Sequence, residues 1–317
     1  MSKRNFTDYS LLAARGMGMG AADLIPGVSG GTIAFITGIY EELINSIKSV
    51  NGKFFRLLFK EGISAAWKHI NGDFLLTVFS GIMLSIFSLA RLISWLLDVY
   101  PKMVWAFFFG LIIASALHVG KKITRWDAVN VVTLLAGVAI AAWITIATPA
   151  TSPEVWWFIL LSGSIAITAM ILPGISGSFI LLLLGKYEFI LNAVKDFKMD
   201  VIMIFAAGCI VGLITFSNII SWFFRKFPNA TMALLTGFMV GSLNKLWPWK
   251  EVLSYGINSA GEKVPLIERS VSPGSYTEIT GEPNHLFSVI IFALLGFLLI
   301  FLFDVFTAHQ LKNKKNV

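Results

Sequence analysis

With one cysteine in 317 residues, Cys209, the chain has nothing to pair, and a disulfide framework is excluded. Cys209 sits inside an apolar run, where a small buried thiol is the ordinary reading. Charge is scarce too: Asp, Glu, Lys and Arg make up 14% of the chain, against about a quarter in soluble domains. Histidine is rarer still. His69, His118, His285 and His309 lack metal-ligand spacing, and no Gly-x-x-x-x-Gly-Lys loop is present, so neither a metal, a cofactor nor a bound nucleotide is expected. Covalent lipid-phosphatase chemistry wants a nucleophile beside a base, typically histidine; none lies near the two glycine-rich stretches described below, and the chain reads as a non-enzyme. The N-terminus, MSKRNFTDYSLLAARG, lacks an uninterrupted apolar core before a small-residue cleavage site and reads as retained.

What remains is apolar: 56% hydrophobic residues and a mean hydropathy of +0.77. Candidate spans cover 74–97, 103–119, 128–148, 201–224, 229–247 and 286–308, most of them long enough to cross roughly 30 Å of hydrocarbon as helices. Two further apolar regions, 8–47 and 155–195, are each interrupted by Pro-Gly. The chain is therefore expected to be an all-α polytopic membrane protein. Its net charge of +7 then reports orientation before any nucleic acid.

If each broken region enters and leaves on one side, the basic residues sort cleanly. One side collects Lys3, Arg4, Lys48, Lys53, Arg56, Lys60, Lys68, Lys121, Lys122, Arg125, Arg225, Lys226, Lys312, Lys314 and Lys315. The other holds Lys102, Lys195, Lys198, Lys245, Lys250, Lys263 and Arg269. The positive-inside rule makes the first side cytoplasmic, with both termini there. Counting either broken region as a single crossing scrambles the pattern. Each break thus belongs to a hairpin, re-entrant or fully spanning.

The two hairpins are copies. Shifted by 147, positions 26–48 and 173–195 share Pro, Gly, Ser, Gly, Ile, Gly, Tyr, Glu, Asn and Lys. Similarity resumes at a shift of 127, where Gly81 matches Gly208, Ile93-Ser94-Trp95 matches Ile220-Ser221-Trp222, Pro101 matches Pro228 and Gly110 matches Gly237. Each half, 1–150 and 151–317, then holds a hairpin and three spans. Three is odd, so the second half inserts upside down, an inverted repeat of the kind that builds transporters with a site near the midplane.

The break itself carries chemistry. Pro26 and Pro173 end one helix, Gly27 and Gly174 permit a positive φ, and Ser29 and Ser176 stand at the N-cap of the next. Gly30, Gly31 and Thr32, or Gly177 and Ser178, form its first turn. A helix start in hydrocarbon offers N–H groups and partial positive charge to an anionic oxygen. Small residues there also let helices pack closely, but two copies in opposed halves favour an anion site. Ionisable residues within spans add candidates: Arg91 for a bidentate phosphate contact, its counterpart Asn218, and Arg15 flanking the first break. Asp23 has two open roles, capping backbone N–H groups or carrying a proton. Glu41 and Glu188 recur beyond each break, about 20 Å along a helix, which favours an interfacial place.

The stretches GMGMGAADLIPGVSGGTIAFITGIYEELI and ILPGISGSFILLLLGKYE resemble the paired signatures of the bacterial polyprenyl-phosphate translocases of the PopT type, and the resemblance covers essentially the whole chain. It implies a carrier in the cytoplasmic (inner) membrane that returns undecaprenyl phosphate to the cytoplasmic leaflet for peptidoglycan and other envelope polymers. A lipid phosphate as partner follows from it; moving that charge towards a negative interior costs about 2.3 kcal/mol per charge per 100 mV, so a coupling ion, H+ or Na+, is expected. The second copy has Ser178-Phe179 where the first has Gly31-Thr32, so unequal binding at the two breaks is expected. The rival reading is a carrier of small soluble anions using the same helix ends.

Overall fold

The computed structural model describes residues 4–25, 27–257 and 263–315. Asn5 starts the first helix with a reciprocal cap: its side chain accepts the Asp8 N–H at 2.9 Å while Asp8 accepts its own at 3.1 Å. Helix α1 spans Phe6–Asp23, followed beyond the first break by α2 (Gly30–Ile36) and α3 (Tyr40–Lys48). Two surface helices, α4 (Gly52–Lys60) and α5 (Ile63–His69), fill the longer loop of the first half. Three long helices follow: α6 (Gly72–Val99), α7 (Pro101–Gly120) and α8 (Ala128–Ile146). The second half opens in the same order, with α9 (Trp156–Ile171), α10 (Gly177–Leu183), α11 (Tyr187–Lys195) and α12 (Met199–Lys226). It continues with α13 (Pro228–Ser242), strands β1 (Lys250–Ile257) and β2 (Lys263–Ser270), α14 (Pro273–Thr280) and α15 (Leu286–Lys315).

Among the described residues, α6, α7, α8 and α12 are long and apolar enough to cross a bilayer, and the α10–α11 pair adds a fifth if counted as one broken span. That pair bends by 109°. Shorter apolar helices are α9 and Leu286–Leu302 of α15. The chain is a multi-pass helical membrane protein. The expected span 229–247 is shorter than anticipated: α13 gives way to a 3-10 turn at Leu243–Leu246, and Trp247 is extended, as a residue before proline (here Pro248) prefers.

The helical class holds for the spans, but the loop at 248–284 is not irregular. β1 and β2 pair antiparallel from Lys250↔Ser270 to Ile257↔Lys263, with an irregularity between Val252 and Tyr255. The hairpin escapes the sequence pattern because that irregularity breaks its alternation. Beside it, Trp249 and Tyr276 are buried with Ala106 and Val289, and Lys102 and Lys250 lie over the rings of Tyr276 and Trp105. Trp247 packs against this cluster, and its Nε1 donates to the Val271 carbonyl at 2.8 Å.

The chain divides into two compact units, residues 1–93 with 147–232 and residues 94–146 with 233–317. Each draws on both sequence halves. In the first unit α6 lies on α1 and α12 on α9 where glycines remove the side chain: Gly81 against the Ala13 carbonyl and Gly208 against the Leu160 carbonyl. These are matched positions, shifted by 127 and 147. In the second unit α7 crosses α15 through Gly110 at Ala293 and Gly296 at Phe107, while α8 crosses α13 through Gly137 at Leu234 and Gly237 at Leu134. A shift of 127 carries α7 onto α13 here, and a shift of 159 carries α8 onto α15, a match that residue identity does not reveal.

Candidate functional site

The two breaks meet inside the first unit. At the first, Gly27 takes φ 83°, a left-handed conformation that only glycine adopts cheaply. The chain then enters α2 through Ser29, whose Oγ accepts the Gly31 N–H at 3.1 Å. Asp23, at the end of α1, turns back so that Oδ1 accepts the Gly30 N–H at 2.7 Å. A side chain at residue 30 would come within 2.5 Å of the other Asp23 oxygen, so glycine is what admits the carboxylate. The helix start is thus capped by the protein's own anion. For this break the expectation of free N–H groups is corrected: of the two roles open for Asp23, it performs the capping one here.

At the second break Gly174 repeats the turn, φ 86°. Met170 stands where Asp23 stands, so no carboxylate is at hand. Ser176 occupies the N-cap of α10 but makes no capping hydrogen bond; its Oγ lies 2.8 Å from Ser178 Oγ. Ser178 is exposed, while its counterpart Gly31 is buried. Gly177 is buried and Pro173 is buried; Pro26 lies outside the described residues.

Two hydrogen bonds join the breaks. Ser29 Oγ donates to the Met170 carbonyl at 2.6 Å, and the Gly174 N–H donates to Thr32 Oγ1 at 2.9 Å. Ser29 and Thr32 are fully buried, both 0% exposed. Gly31 lies so close to the Ile171 carbonyl that any Cβ would overlap it. The freed backbone groups of one break are therefore satisfied partly by the other, which is what an interrupted helix in hydrocarbon requires.

The remaining candidates make no hydrogen bond or ion pair to either break among the described residues. Arg91 on α6 is exposed and makes no ion pair among the described residues. Asn218 on α12 is exposed too, and its amide donates to the Ile214 carbonyl of its own helix at 2.8 Å. Glu41 is exposed and Glu188 half-buried, each in the first turn of the helix after the hairpin's return, where a carboxylate suits the helix dipole. Arg15 is half-buried two turns before Asp23, its Nε enclosed without a hydrogen-bond partner. Three repeat identities have a structural role: Lys48 Nζ donates to Ser221 Oγ at 3.2 Å, and Ser221 donates to Asn45 Oδ1 at 3.1 Å, tying α3 to α12.

One residue carries more than its sequence suggested. Lys186, in the turn of the second hairpin, is 1% exposed, donates to the Ser152 carbonyl at 2.9 Å and lies over the rings of Phe158 and Phe189. The available signal was a lysine directly after the turn glycine, at a position held by Ile39 in the first half.

The comparisons with known proteins agree on a family. Residues 19–264 match the model of the VCA0040-like family, described as undecaprenyl phosphate translocase-like. A polyprenyl-phosphate transporter of Vibrio cholerae is 48% identical over 278 residues, 88% of this chain and 90% of that protein. One of Staphylococcus aureus is 33% identical over 254 residues, 74% of this chain and 84% of that protein. No solved structure matches. With a match spanning both breaks and a relative aligned over most of its length, the chain belongs to the undecaprenyl phosphate translocase-like family.

Proposed function

We propose that the protein carries a polyprenyl phosphate, undecaprenyl phosphate in particular, across the cytoplasmic (inner) membrane from the outer to the cytoplasmic leaflet, so that the lipid re-enters peptidoglycan and envelope synthesis. Family membership supports the substrate class. The observation that carries the mechanism is the pair of joined breaks, one helix end closed by Asp23 and the other without a cap. The architecture behind it is an inverted repeat of 1–150 and 151–317 with both termini cytoplasmic, each half a re-entrant hairpin and three spans. Its support is the basic-residue distribution, the recurrence of the Gly81 and Gly208, Gly110 and Gly237, and Gly137 and Gly296 crossings at matched positions, and return helices of 7 residues, about 10 Å, too short to span.

In this reading the phosphate docks on the open start of α10, with Ser176, Gly177 and Ser178 around it and Gly174 and Pro173 shaping the turn. Pro26, Gly27, Ser29, Gly30, Gly31 and Thr32 form the opposing wall. Asp23 is the coupling group. While ionised it holds the start of α2 and repels the headgroup. Protonated, it loses its charge and frees the Gly30 N–H for a phosphate oxygen. Proton and anion would then enter together, which offsets the cost of moving a negative charge inward, about 2.3 kcal/mol per charge per 100 mV. Arg91, Asn218, Glu41 and Glu188, which make no bond to either break among the described residues, have a supporting role at most.

Liposomes reconstituted with the full chain test this by leaflet exchange of undecaprenyl phosphate. Exchange should be driven by an inward proton gradient and fall in Ser176→Ala while Arg91→Ala changes it less. Exchange indifferent to the gradient would remove the coupling; no exchange by folded wild type would remove the function. Competition by water-soluble phosphate without any lipid requirement would favour a carrier of small anions.

A further inference from the structure

A second amphiphilic feature lies on the first unit, beyond the breaks. Its apolar part is an open-sided groove of about 350 Å³ between α3, α5 and the first turns of α6, walled by Leu43, Trp67, Leu75, Leu76, Val78 and Phe79. No charged side chain lines it. Trp67 is held in place as the outer wall: its Nε1 donates to Asp73 Oδ1 at 2.8 Å, and its ring rests on Gly72, where a side chain would collide with it. Leu76 and Phe79 are exposed, so the groove stays uncovered on one side.

Its polar part begins where the groove ends. Glu42 and Asn71 are chain neighbours of Leu43 and of Ile70, which also lines the groove. Arg4 holds Glu42 with both contacts from one nitrogen, at 2.6 and 2.7 Å, and lies 5.2 Å over the ring of buried Phe74. Asn71 donates to Glu42 at 2.8 Å. Arg15 feels the charges of both Arg4 and Glu42, and the next residue, Gly16, lies directly on the Val78 carbonyl at the groove wall. Of these two guanidinium groups, only Arg4 forms an ion pair with Glu42 among the described residues. The Nε of Arg15 is enclosed with no hydrogen-bond partner among the described residues. An enclosed guanidinium nitrogen left unmatched is costly, and its fork suits a phosphate.

We infer that this groove and cluster form a binding station for a polyprenyl monophosphate, its phosphate on Arg15 and Arg4 and the first isoprene units of its tail along Leu75, Leu76 and Phe79. A volume of about 350 Å³ is near the lower end of ligand pockets, ~300–1,000 Å³, and takes the head-proximal part of a chain whose remainder stays in lipid. Arg15 precedes Asp23 on α1 by eight residues, about 12 Å of helix. The station therefore lies along the same helix as the first break, a stop on the substrate's route between the paired breaks and one membrane face. The assignment of substrate rests on the transport reading above; the location does not.

The test uses the full chain in liposomes of phosphatidylethanolamine and phosphatidylglycerol, with undecaprenyl phosphate carrying a photoactivatable group on an isoprene unit near the phosphate. Irradiation should label α6 at Leu75, Leu76 or Phe79, and unlabelled undecaprenyl phosphate, but not added phosphatidylglycerol, should compete the label away. Arg15→Gln should lower labelling about tenfold, and Leu76→Trp, which fills the groove without touching the arginines, should lower it at least fivefold. Leaflet exchange is read on the same vesicles. Label elsewhere with exchange intact overturns the station and leaves transport standing. Label in the groove without exchange overturns transport and leaves the station. Equal competition by phosphatidylglycerol overturns the assigned occupant. Because the wild-type map needs no substitution, a misfolded variant does not blunt the test.

Discussion

The first and second breaks share Pro-Gly-x-Ser-Gly and the same left-handed glycine, yet they do opposite things. The first supplies side chains: Ser29 and Thr32 reach across, Asp23 folds back onto Gly30, and none of its described residues is exposed. The second supplies backbone: the Met170 carbonyl and Gly174 N–H receive those side chains, while Ser176 turns to an exposed Ser178. One repeated turn has become, in the proposed reading, a seal and a seat. What separates them is three positions, Asp23 against Met170, Gly31 against Ser178 and Thr32 against Phe179.

Substitutions at these positions test the contrast. The largest effect is expected from Gly31→Val, which drives a side chain into the Ile171 carbonyl; overpacking of this kind costs ~1–3 kcal/mol or more, read as a fall in thermal unfolding temperature in detergent. Ser178→Val, the matched change on the exposed side, should stay within about 0.5 kcal/mol. Equal penalties would erase the distinction between seal and seat. Next, Met170→Asp gives the second break the first one's carboxylate and should cut undecaprenyl phosphate exchange at least tenfold with unfolding little changed. An undiminished rate would show that the start of α10 does not receive the phosphate.

Asp23→Asn works from the other side. Losing the charged cap should cost about 1 kcal/mol, and exchange, if slower, should lose its dependence on the proton gradient; a preserved dependence moves coupling to another group. Thr32→Val leaves the Gly174 N–H without its acceptor, a loss of ~1–3 kcal/mol visible as faster hydrogen exchange at Gly174. Ser178→Ala, removing the Ser176 contact and one of the hydroxyls proposed around the phosphate, should be smallest: under about 0.5 kcal/mol and a change of no more than a few fold in exchange.

How much of this could be read from residues depends on what kind of signal each feature leaves. The breaks, their positive-φ glycines and the serine N-caps were legible because proline and glycine impose backbone geometry locally. So were the hairpins and most spans, since crossing hydrocarbon demands length. Bonds between Ser29 and Met170 were not, as residues 141 apart carry no mark of their partnership. The sequence offers Arg91 for a phosphate contact, but α6 is apolar nearly all round and such a helix gives no face to read. Arg91 points outward instead. Lys186 was undervalued for the converse reason: its burial comes from Phe158 and Phe189, which helix packing brings to it. The α8–α15 correspondence emerges only from which carbonyl each glycine admits.

The Ser29–Met170 bond spans 141 residues, and a ribosome adds about 5–20 residues per second. The N-terminal hairpin must therefore sit in the nascent membrane for roughly 7–28 s before the carbonyl that completes it exists. A chain released after α8 never receives it. Biogenesis of this molecule is thus a matter of waiting, with an unfinished polar turn held open until its mate is translated.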